Sequence, residues 1–170
     1  MKPTIFRIDS PYSGQLAILA RPRGNEWLSD EMAALSEAGV DVIVSLLEDN
    51  ENLELGLQDE TACAREHGIT FVSYPISDYG VPRSEKDVEK LVHGLVDHLT
   101  RGKTVGVHCR QGIGRSSLIV ACLLNQTIED TDECFHRIQL ARGTAVPDTI
   151  EQREWVRAFA KTLTEQTVNR

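Results

Sequence analysis

The chain has 170 residues, and its hydrophobic share of 41% and charged share of 26% are ordinary for a globular protein. This composition excludes disordered, collagen-like and low-complexity classes, and the length allows a sizeable buried core. Eighteen Lys and Arg residues against 26 Asp and Glu residues give a net charge of −8. That balance argues against nucleic acid or an anionic membrane as a partner, because both are bound mainly through Lys and Arg.

Short strand-like runs alternate with helical patterns through the first two thirds of the chain. The predicted strands cover residues 5–8, 15–19, 42–47, 70–74 and 104–108. The last three runs are continuously apolar, which is typical of strands buried on both faces. One helix is predicted over 29–38, where Gly39 ends it, and another runs from Ser84, with Asp87 at the capping-box position, to Gly102.

From Arg115 onward the pattern is entirely helical. Residues 115–124 are apolar on almost every side, so we expect a central buried helix there. A further helix begins near Asp130 and ends at Gly143, and the last begins at Thr149 with Gln152 at its capping-box position. The alternation predicts an α/β fold with a mostly parallel central sheet flanked by helices and a helical C-terminal part.

The chain, residues 1–170, shows no linker, internal repeat or change in composition, and we interpret it as a single domain. Ligands of a parallel α/β sheet collect at the carboxyl ends of its strands. We therefore expect a ligand-binding site at the turns after Leu47, Tyr74 and His108.

We expect a monomeric, cytoplasmic protein that does not associate with membranes. The first 24 residues lack an apolar stretch of signal-peptide length, and the longest apolar run, 118–124, is far shorter than the ~20 residues of a membrane span. The four cysteines are widely spaced, as expected for reduced thiols, and are Cys63, Cys109, Cys122 and Cys134. Cys122 and Cys134 are interpreted as core thiols, and Cys63 with His67 as helix packing rather than half of a zinc site.

The charge is unevenly distributed along the sequence. Eleven acidic residues and no Lys or Arg lie between Gly24 and Ala64, whereas four Lys and Arg residues and no acid lie between His98 and Ile128. The basic segment is therefore suited to binding an anion. The acidic stretch 48–60 is a candidate neighbour of that segment, where it would repel polyanions or admit basic peptides.

The turn after the fifth predicted strand carries the clearest chemical pattern, because residues 108–117 read HCRQGIGRSS. Gly112 and Gly114 let the backbone wrap tightly, so that successive N–H groups converge at the positive end of the following helix and form a cradle for a tetrahedral oxyanion. The same N–H groups would stabilise a Cys109 thiolate. The guanidinium of Arg115 is suited to holding two oxygens of the anion through bidentate hydrogen bonds.

The pattern H-C-x-x-G-x-G-R-S resembles the phosphate-binding loop of the cysteine-dependent protein phosphatases, the tyrosine and dual-specificity superfamily. A second stretch, YPISDYGVP at residues 74–82, resembles the loop that carries the catalytic aspartate of these enzymes. Asp78 is the one carboxylate of the sequence between Glu66 and Glu85. The short chain resembles the small dual-specificity group, which implies a phosphatase-type three-layer fold.

The resemblance implies a role for each residue of the two loops. Cys109 is expected to attack phosphorus and form a phosphocysteine intermediate, while Asp78 protonates the leaving group and later activates water. Arg115 is expected to bind phosphate oxygens, Ser116 to assist departure of the sulfur, and His108 to support the thiolate. The phosphate-binding residues are Arg110, Gln111, Gly112, Ile113, Gly114 and Arg115. The resemblance implies neither a cofactor nor a metal.

Other interpretations stay open from the sequence. Phosphorylated protein or peptide is the expected substrate, and a non-protein phosphomonoester such as a phosphoinositide is the alternative. A catalytically silent phosphate-binding module and a different cysteine enzyme, such as a rhodanese or an arsenate reductase, are competing functions. Cys109 in a Gly-rich turn, Asp78 between two prolines and His108 in a core also have purely structural interpretations.

Overall fold

A computed structural model describes residues 2–168 of the chain. Its central sheet has five short strands in the spatial order β1-β2-β5-β3-β4. The strands are β1 (Ile5–Ile8), β2 (Leu16–Leu19), β3 (Val42–Ser45), β4 (Thr70–Ser73) and β5 (Val105–His108). β1 is antiparallel to β2, and the other pairs are parallel. β5, which leads into the Cys109 turn, therefore lies in the middle of the sheet.

Seven α-helices and a 3-10 helix (Asn25–Trp27) accompany the sheet within residues 2–168. The α-helices are α1 (Leu28–Glu37), α2 (Asp49–Leu55), α3 (Glu60–Glu66), α4 (Glu85–Thr100), α5 (Arg115–Leu124), α6 (Thr131–Arg142) and α7 (Ile150–Val168). Every residue of α5 is buried, which confirms the central buried helix predicted at this position.

The two faces of the sheet are covered by different helices, because successive residues of each strand point to opposite sides. Ile18 and Val44 belong to one core, which they form with α4, α5, α6 and α7. Leu19 and Ile43 belong to a second core with α1 and α3. Gly106 of β5 makes room for Leu19, because a Cβ at position 106 would lie 2.6 Å from that side chain. The predicted α/β fold, a mostly parallel sheet between helical layers, is confirmed.

One strand differs from the prediction in its surroundings. The run over residues 70–74 was expected to be buried on both faces, but β4 is the edge strand of the sheet. Thr70 and Ser73 are exposed, and Phe71 and Val72 are only partly buried. This interpretation is wrong because a short apolar run alone does not distinguish an edge strand from a central one.

The helix α2 in the acidic stretch was not predicted, and α3 was indicated only by the interpretation of Cys63 and His67 as helix packing. α2 and α3 have seven residues each, and their buried positions include the charged side chains Glu51 and Glu60. Such helices have no apolar stripe, which is the pattern by which a helix is recognised from sequence. The capping box formed by Glu48 and Glu51 and the left-handed Gly56 at the end of α2 are the local signals that mark this helix.

The fold brings three chain segments together at the carboxyl ends of the strands. β3, β4 and β5 are parallel neighbours, so the segments that follow their carboxyl ends emerge side by side. These segments are α2, the loop with Asp78 and the turn with Cys109. Within residues 2–168, no helix is both long enough and apolar enough to span a bilayer.

Candidate active site

Cys109 begins the turn between β5 and α5, and only 3% of its surface is exposed. The backbone N–H of Gly112 donates a hydrogen bond to Cys109 Sγ over 3.3 Å. Gly112 has a φ of +70°, a left-handed conformation that glycine adopts readily. The turn thus brings a backbone donor to the sulfur, next to the positive end of α5.

Arg115 is the first residue of α5, and its guanidinium is buried in a fixed orientation. Nη1 and Nη2 donate to the two carboxylate oxygens of Glu51 over 2.6 and 3.0 Å, and Nη1 also donates to the carbonyl of Ile76 over 2.9 Å. Burial alone would lower the pKa of Arg115, but the hydrogen bond to Glu51 and the nearby charges of Cys109 and Glu51 raise it. A permanently charged guanidinium therefore lies beside the sulfur.

Glu51 is itself fixed at the start of α2. Its Oε1 accepts a hydrogen bond from the backbone N–H of Glu48 over 3.1 Å, which completes the capping box. Burial opposes ionisation of Glu51, but the hydrogen bonds from Arg115 and from Glu48 outweigh it and lower the pKa. The acidic stretch was expected near the basic segment, and the contact between Glu51 and Arg115 confirms this expectation, although this particular pair was not predicted.

Asp78 lies above the turn in the loop between β4 and α4. Its Oδ1 is 3.1 Å from Nη2 of Arg115 and accepts a hydrogen bond from the backbone N–H of Tyr79 over 3.1 Å. The Asp78 side chain is 43% exposed, so it lies at the mouth of the cleft. The structure therefore brings together Cys109, Arg115 and Asp78, which the sequence separates by up to 37 positions.

His108 is completely buried at the end of β5, directly before the cysteine. Its Nε2 lies 2.6 Å from Oε1 of Glu60, and its Nδ1 lies 3.2 Å from the carbonyl oxygen of Cys109. Burial alone would lower the pKa of His108, but the charge and hydrogen bond of Glu60 and the bond to the Cys109 carbonyl raise it. Both ring nitrogens face acceptors, which favours the imidazolium form. The partner Glu60 was not predicted.

The other side chains of the turn face in different directions. Arg110 lies outside the cleft, where its Nη2 is 2.8 Å from Glu54 and its Nη1 is 3.7 Å from Glu51. Gln111 lines the cleft, whereas Ile113 packs against the core. A phosphate contact from Arg110 or Ile113 would therefore use the backbone N–H and not the side chain.

Ser116 follows Arg115 in the first turn of α5. Its hydroxyl is buried and has no hydrogen-bond partner within residues 2–168. The bond to the Cys109 sulfur that the resemblance implies is therefore not formed in this structure, and the role of Ser116 stays a prediction. The hydroxyl of Ser117 is likewise buried and unpartnered in the described part of the chain.

The segment before α7 completes the cleft, and the sequence analysis did not assign it to the site. Asp148 lines the same cleft as Cys109 and Arg115. Gln152 is buried, and its Oε1 accepts hydrogen bonds from the backbone N–H groups of Asp148 and Thr149 over 3.1 and 3.2 Å, which confirms its capping-box role. Its Nε2 also donates to the carbonyl of Gly80 over 3.1 Å, so Gln152 ties α7 to the loop that carries Asp78.

Arg142 supports the turn from outside. Its Nε and Nη2 donate to the carbonyl oxygens of Gly112 and Gln111 over 2.7 and 3.3 Å. Its guanidinium also stacks on the ring of Phe6, with 4.0 Å between the guanidinium carbon and the ring centroid. Carbonyl groups held toward Arg142 leave the N–H groups of the same peptides free to face the cleft. No pattern in the sequence indicated this contact.

Comparison with protein families identifies the class to which this site belongs. The family model described as Tc-R-P, "Polymorphic toxin system, DSP-PTPase phosphatase", matches residues 17–129, which is about two thirds of the chain. The chain belongs to the dual-specificity/tyrosine phosphatase family. The match includes the Asp78 loop and the Cys109 turn, and it ends before Asp148 and Gln152.

Relatives of this phosphatase family match shorter parts of the chain. Protein 067L of Invertebrate iridescent virus 3 is 44% identical over 61 residues, which is 34% of this chain and 25% of that protein. Cyclin-dependent kinase inhibitor 3 of Homo sapiens is 30% identical over 99 residues, which is 56% of this chain and 46% of that protein. The chain thus spans between a quarter and about half of the length of these curated relatives.

Solved phosphatase structures share the fold over nearly the whole chain. Kinase associated phosphatase (KAP) superposes with a TM-score of 0.87 at 21% identity and covers 96% of this chain and 97% of its own. PTPMT1 superposes with a TM-score of 0.79 at 22% identity over 98% of this chain and 100% of its own. These identities are low, so the likeness establishes the fold.

The remaining cysteines lie apart from the cleft. Cys122 and Cys134 are buried in α5 and α6, as predicted for core thiols, and burial raises the pKa of Cys134 to about 12. Cys63 packs against the second core, while His67 lies 3.2 Å from the hydroxyl of Ser29, so the packing interpretation of both is confirmed. Within residues 2–168, no three His, Cys, Asp or Glu side chains form a group that could hold a metal ion.

Proposed function

We propose that this phosphatase family member hydrolyses phosphomonoesters through a phosphocysteine intermediate on Cys109. The observation that carries the proposal is the convergence of Cys109, Arg115 and Asp78 on one cleft at the carboxyl ends of β4 and β5. A silent phosphate-binding module needs the guanidinium and the N–H cradle, but neither a nucleophile nor an exposed acid. The chemistry depends on a free Cys109 thiol, so we also propose that the protein acts in a reducing compartment such as the cytoplasm.

In the proposed first step, the Cys109 thiolate attacks phosphorus and the ester oxygen departs. The phosphate dianion is held by the N–H groups of residues 110–115 and by Arg115, which stabilise the charge spread over the equatorial oxygens. Phosphate oxygens compete with Asp78 for Nη2 of Arg115. Binding therefore releases Asp78 from its 3.1 Å contact and leaves its carboxyl group at the mouth of the cleft, where it can donate a proton to the leaving group.

In the proposed second step, water attacks the phosphocysteine and inorganic phosphate leaves. The developing thiolate is stabilised by the Gly112 N–H, by the buried His108 imidazolium and by Arg115. A stable thiolate is both the ground state of the first step and the leaving group of the second. The Ser116 hydroxyl, directly after Arg115, has no hydrogen-bond partner among the described residues. A hydrogen bond from it to the departing sulfur would add to this stabilisation.

We propose a phosphorylated protein or peptide as the substrate. The cleft is lined by the exposed carboxylates of Asp78 and Asp148, and the Arg110 side chain outside it is already paired with Glu54. Negative charge around the cleft repels further phosphate groups and attracts basic residues that flank a phosphorylated side chain. A crystal structure of PTPMT1 contains PI(5)P, which makes a phosphoinositide the natural competitor in a substrate comparison.

The first experiment is a steady-state assay with an aryl phosphate in the presence of EDTA. We expect turnover by the wild-type protein and by Cys63→Ser, and none by Cys109→Ser, because only Cys109 lies in the cleft. Vanadate should inhibit competitively. Absence of turnover in the wild type, or activity that survives Cys109→Ser, would contradict the proposed function.

The substrate class is tested by comparing kcat/KM for three kinds of substrate. These are a phosphopeptide flanked by Lys and Arg, the same phosphopeptide flanked by Asp and Glu, and a soluble phosphoinositide monophosphate. We expect the order basic peptide, acidic peptide, phosphoinositide, with differences that shrink as salt is added. Preference for the phosphoinositide would overturn the protein-substrate assignment and leave the hydrolytic mechanism intact.

A further inference from the structure

The loop that carries Asp78 contains a residue in a strained backbone conformation. The N–H of Gly80 donates to the carbonyl of Ser77 over 2.8 Å, so Asp78 and Tyr79 form the centre of a tight turn. Tyr79 has a φ of +58°, a left-handed conformation that is unusual for a bulky residue and that turns reserve mainly for glycine or asparagine. Gly80, the next residue, does not have a positive φ. The strained position is therefore occupied by tyrosine although a glycine lies beside it.

Contacts on both sides hold the turn in this conformation. The N–H of Tyr79 donates to Oδ1 of Asp78 over 3.1 Å, and the same oxygen lies 3.1 Å from Nη2 of the buried Arg115. On the other side, the carbonyl of Gly80 accepts a hydrogen bond from Nε2 of the completely buried Gln152 over 3.1 Å. Strain of this kind persists where neighbouring contacts outweigh it, and it is concentrated at sites that bind ligands. The Tyr79 backbone is thus fixed, and with it the direction of the Tyr79 side chain.

The Tyr79 side chain lies at the cleft and is 59% exposed. The other residues that line the cleft are polar, charged, a glycine or the buried cysteine, and they are Asp78, Cys109, Gln111, Gly114, Arg115 and Asp148. Within residues 2–168, the Tyr79 ring is therefore the one large apolar surface that the cleft offers to a substrate. No aromatic or cationic side chain in the described part of the chain stacks on this ring. The ring is thus available to pack against a bound molecule.

We propose that Tyr79 is the specificity-determining residue of the cleft and that it favours phosphotyrosine over phosphoserine and phosphothreonine, an inference that rests on the proposed phosphatase function. With the phosphate on the Cys109 turn, the organic group of the ester points out through the mouth of the cleft, where Tyr79 lies. The phenyl ring of phosphotyrosine packs on the Tyr79 ring in an offset or edge-to-face arrangement. The side chain of phosphoserine is a single methylene group, which buries far less apolar surface there.

The test compares the affinities of two peptides for the inactive Cys109→Ser protein, so that binding is measured apart from turnover. The peptides share one sequence and carry either phosphotyrosine or phosphoserine, and isothermal titration calorimetry gives the Kd of each. Tyr79→Asn, made in this protein, removes the ring and introduces a residue that tolerates the left-handed conformation. It should weaken binding of the phosphotyrosine peptide by about 3- to 10-fold, the size of one aromatic pair, and binding of the phosphoserine peptide less. Tyr79→Phe, which retains a ring, should retain the preference for phosphotyrosine.

Stability supplies a second readout. Tyr79→Gly should raise the urea concentration at the midpoint of unfolding, because glycine adopts the left-handed conformation without strain. A ring with a purely structural role would give the opposite sign, since its removal would lose packing contacts. The matched control is Leu140→Asn, which removes another exposed apolar side chain on α6, outside the cleft. It should change neither the two affinities nor the stability.

The outcomes separate this inference from the function on which it rests. A Kd of Tyr79→Asn for the phosphotyrosine peptide within about twofold of the parent value, equal losses for both peptides, or a lower stability of Tyr79→Gly would overturn the role of Tyr79. These results do not involve turnover, so the phosphatase function would stand. A wild type that binds the phosphotyrosine peptide but hydrolyses neither peptide nor an aryl phosphate would overturn the phosphatase function itself. Binding of neither peptide would overturn both the role of Tyr79 and the assignment of a protein substrate.

Discussion

The carboxylate of Glu60 lies 2.6 Å from Nε2 of His108, and both side chains are excluded from solvent. This pair holds an imidazolium directly beneath the Cys109 turn, because the carboxylate is the nearby anion that outweighs the effect of burial. The cation in turn favours a negative charge on the neighbouring sulfur.

Glu60→Gln should make Cys109 less reactive at neutral pH. The amide removes the anion that keeps His108 charged, so the thiolate loses a nearby cation. The measurement is the rate of alkylation by iodoacetamide as a function of pH, and its profile should move toward higher pH. Glu66→Gln, at the exposed end of the same helix, should leave the profile unchanged, and an unchanged profile in Glu60→Gln would contradict the role of the pair.

The same pair should make stability depend on pH. The pKa of His108 is raised by folding above its ordinary value of 6.5, so its contribution to the free energy of unfolding is complete below that value and is lost as pH rises through the folded pKa. Urea unfolding at a series of pH values should therefore show stability falling above about pH 6.5. Glu60→Gln should flatten this slope, and an equal slope in both proteins would exclude His108 as its source.

Glu51→Ala should destabilise the fold and disable the site together. It leaves the buried guanidinium of Arg115 without its bidentate partner, a change that typically costs about 3–5 kcal/mol when a buried pair is broken. Glu54→Ala is the matched control, since it breaks only the exposed pair with Arg110 and should cost far less stability. Urea titration measures both. Similar costs for the two variants would show that Glu51 does not hold Arg115.

Asp78→Asn should separate substrates by their leaving groups. We expect turnover of a phosphotyrosine or alkyl ester to fall by roughly 10²–10⁴-fold, the usual contribution of a general acid, and turnover of p-nitrophenyl phosphate to fall much less. The comparison within one variant is its own control for folding. Equal losses for every ester would indicate that Asp78 positions the substrate and does not donate a proton.

Gln152→Ala should weaken both the start of α7 and the loop that carries Asp78. Three partly buried backbone groups, the N–H groups of Asp148 and Thr149 and the carbonyl of Gly80, lose a partner, so we expect a loss of stability. Turnover of esters with poor leaving groups should fall more than turnover of p-nitrophenyl phosphate, because the Gly80 carbonyl is released next to Asp78. Gln139→Ala, on the exposed surface of α6, should change neither quantity. A uniform loss for all esters would contradict a link to the acid loop.

Local sequence signals predicted the part of the site that depends on neighbouring residues. The strand, the turn with Gly112 and the helix from Arg115 are consecutive, so hydrophobic pattern and glycine chemistry indicate them without knowledge of the fold. The alternation of strands and helices predicted a mostly parallel sheet, but the order of the strands within it was not predicted. The capping box of Thr149 and Gln152 was also predicted, because these two residues are three positions apart in the sequence.

Such local signals do not predict the acidic partners of Arg115 and His108. Glu51 and Glu60 meet Arg115 and His108 across 64 and 48 positions, and these contacts exist only because β3 and β5 are adjacent in the sheet. Their helices are short and have no apolar stripe, so periodicity does not mark them. The sequence showed an acidic stretch and a basic segment, but not which charges pair.

The hydrogen bond from Gln152 to the Gly80 carbonyl joins residues that are 72 positions apart. Gln152 lies beyond the part of the chain that the family model matches. The chain is synthesised from its N-terminus, so the cysteine motif precedes Asp148 and Gln152. A fragment that ends near residue 129 would carry the full signature of the family and lack one wall of its cleft. The turn before α7, and not the signature, is therefore the last part of the cleft to be made.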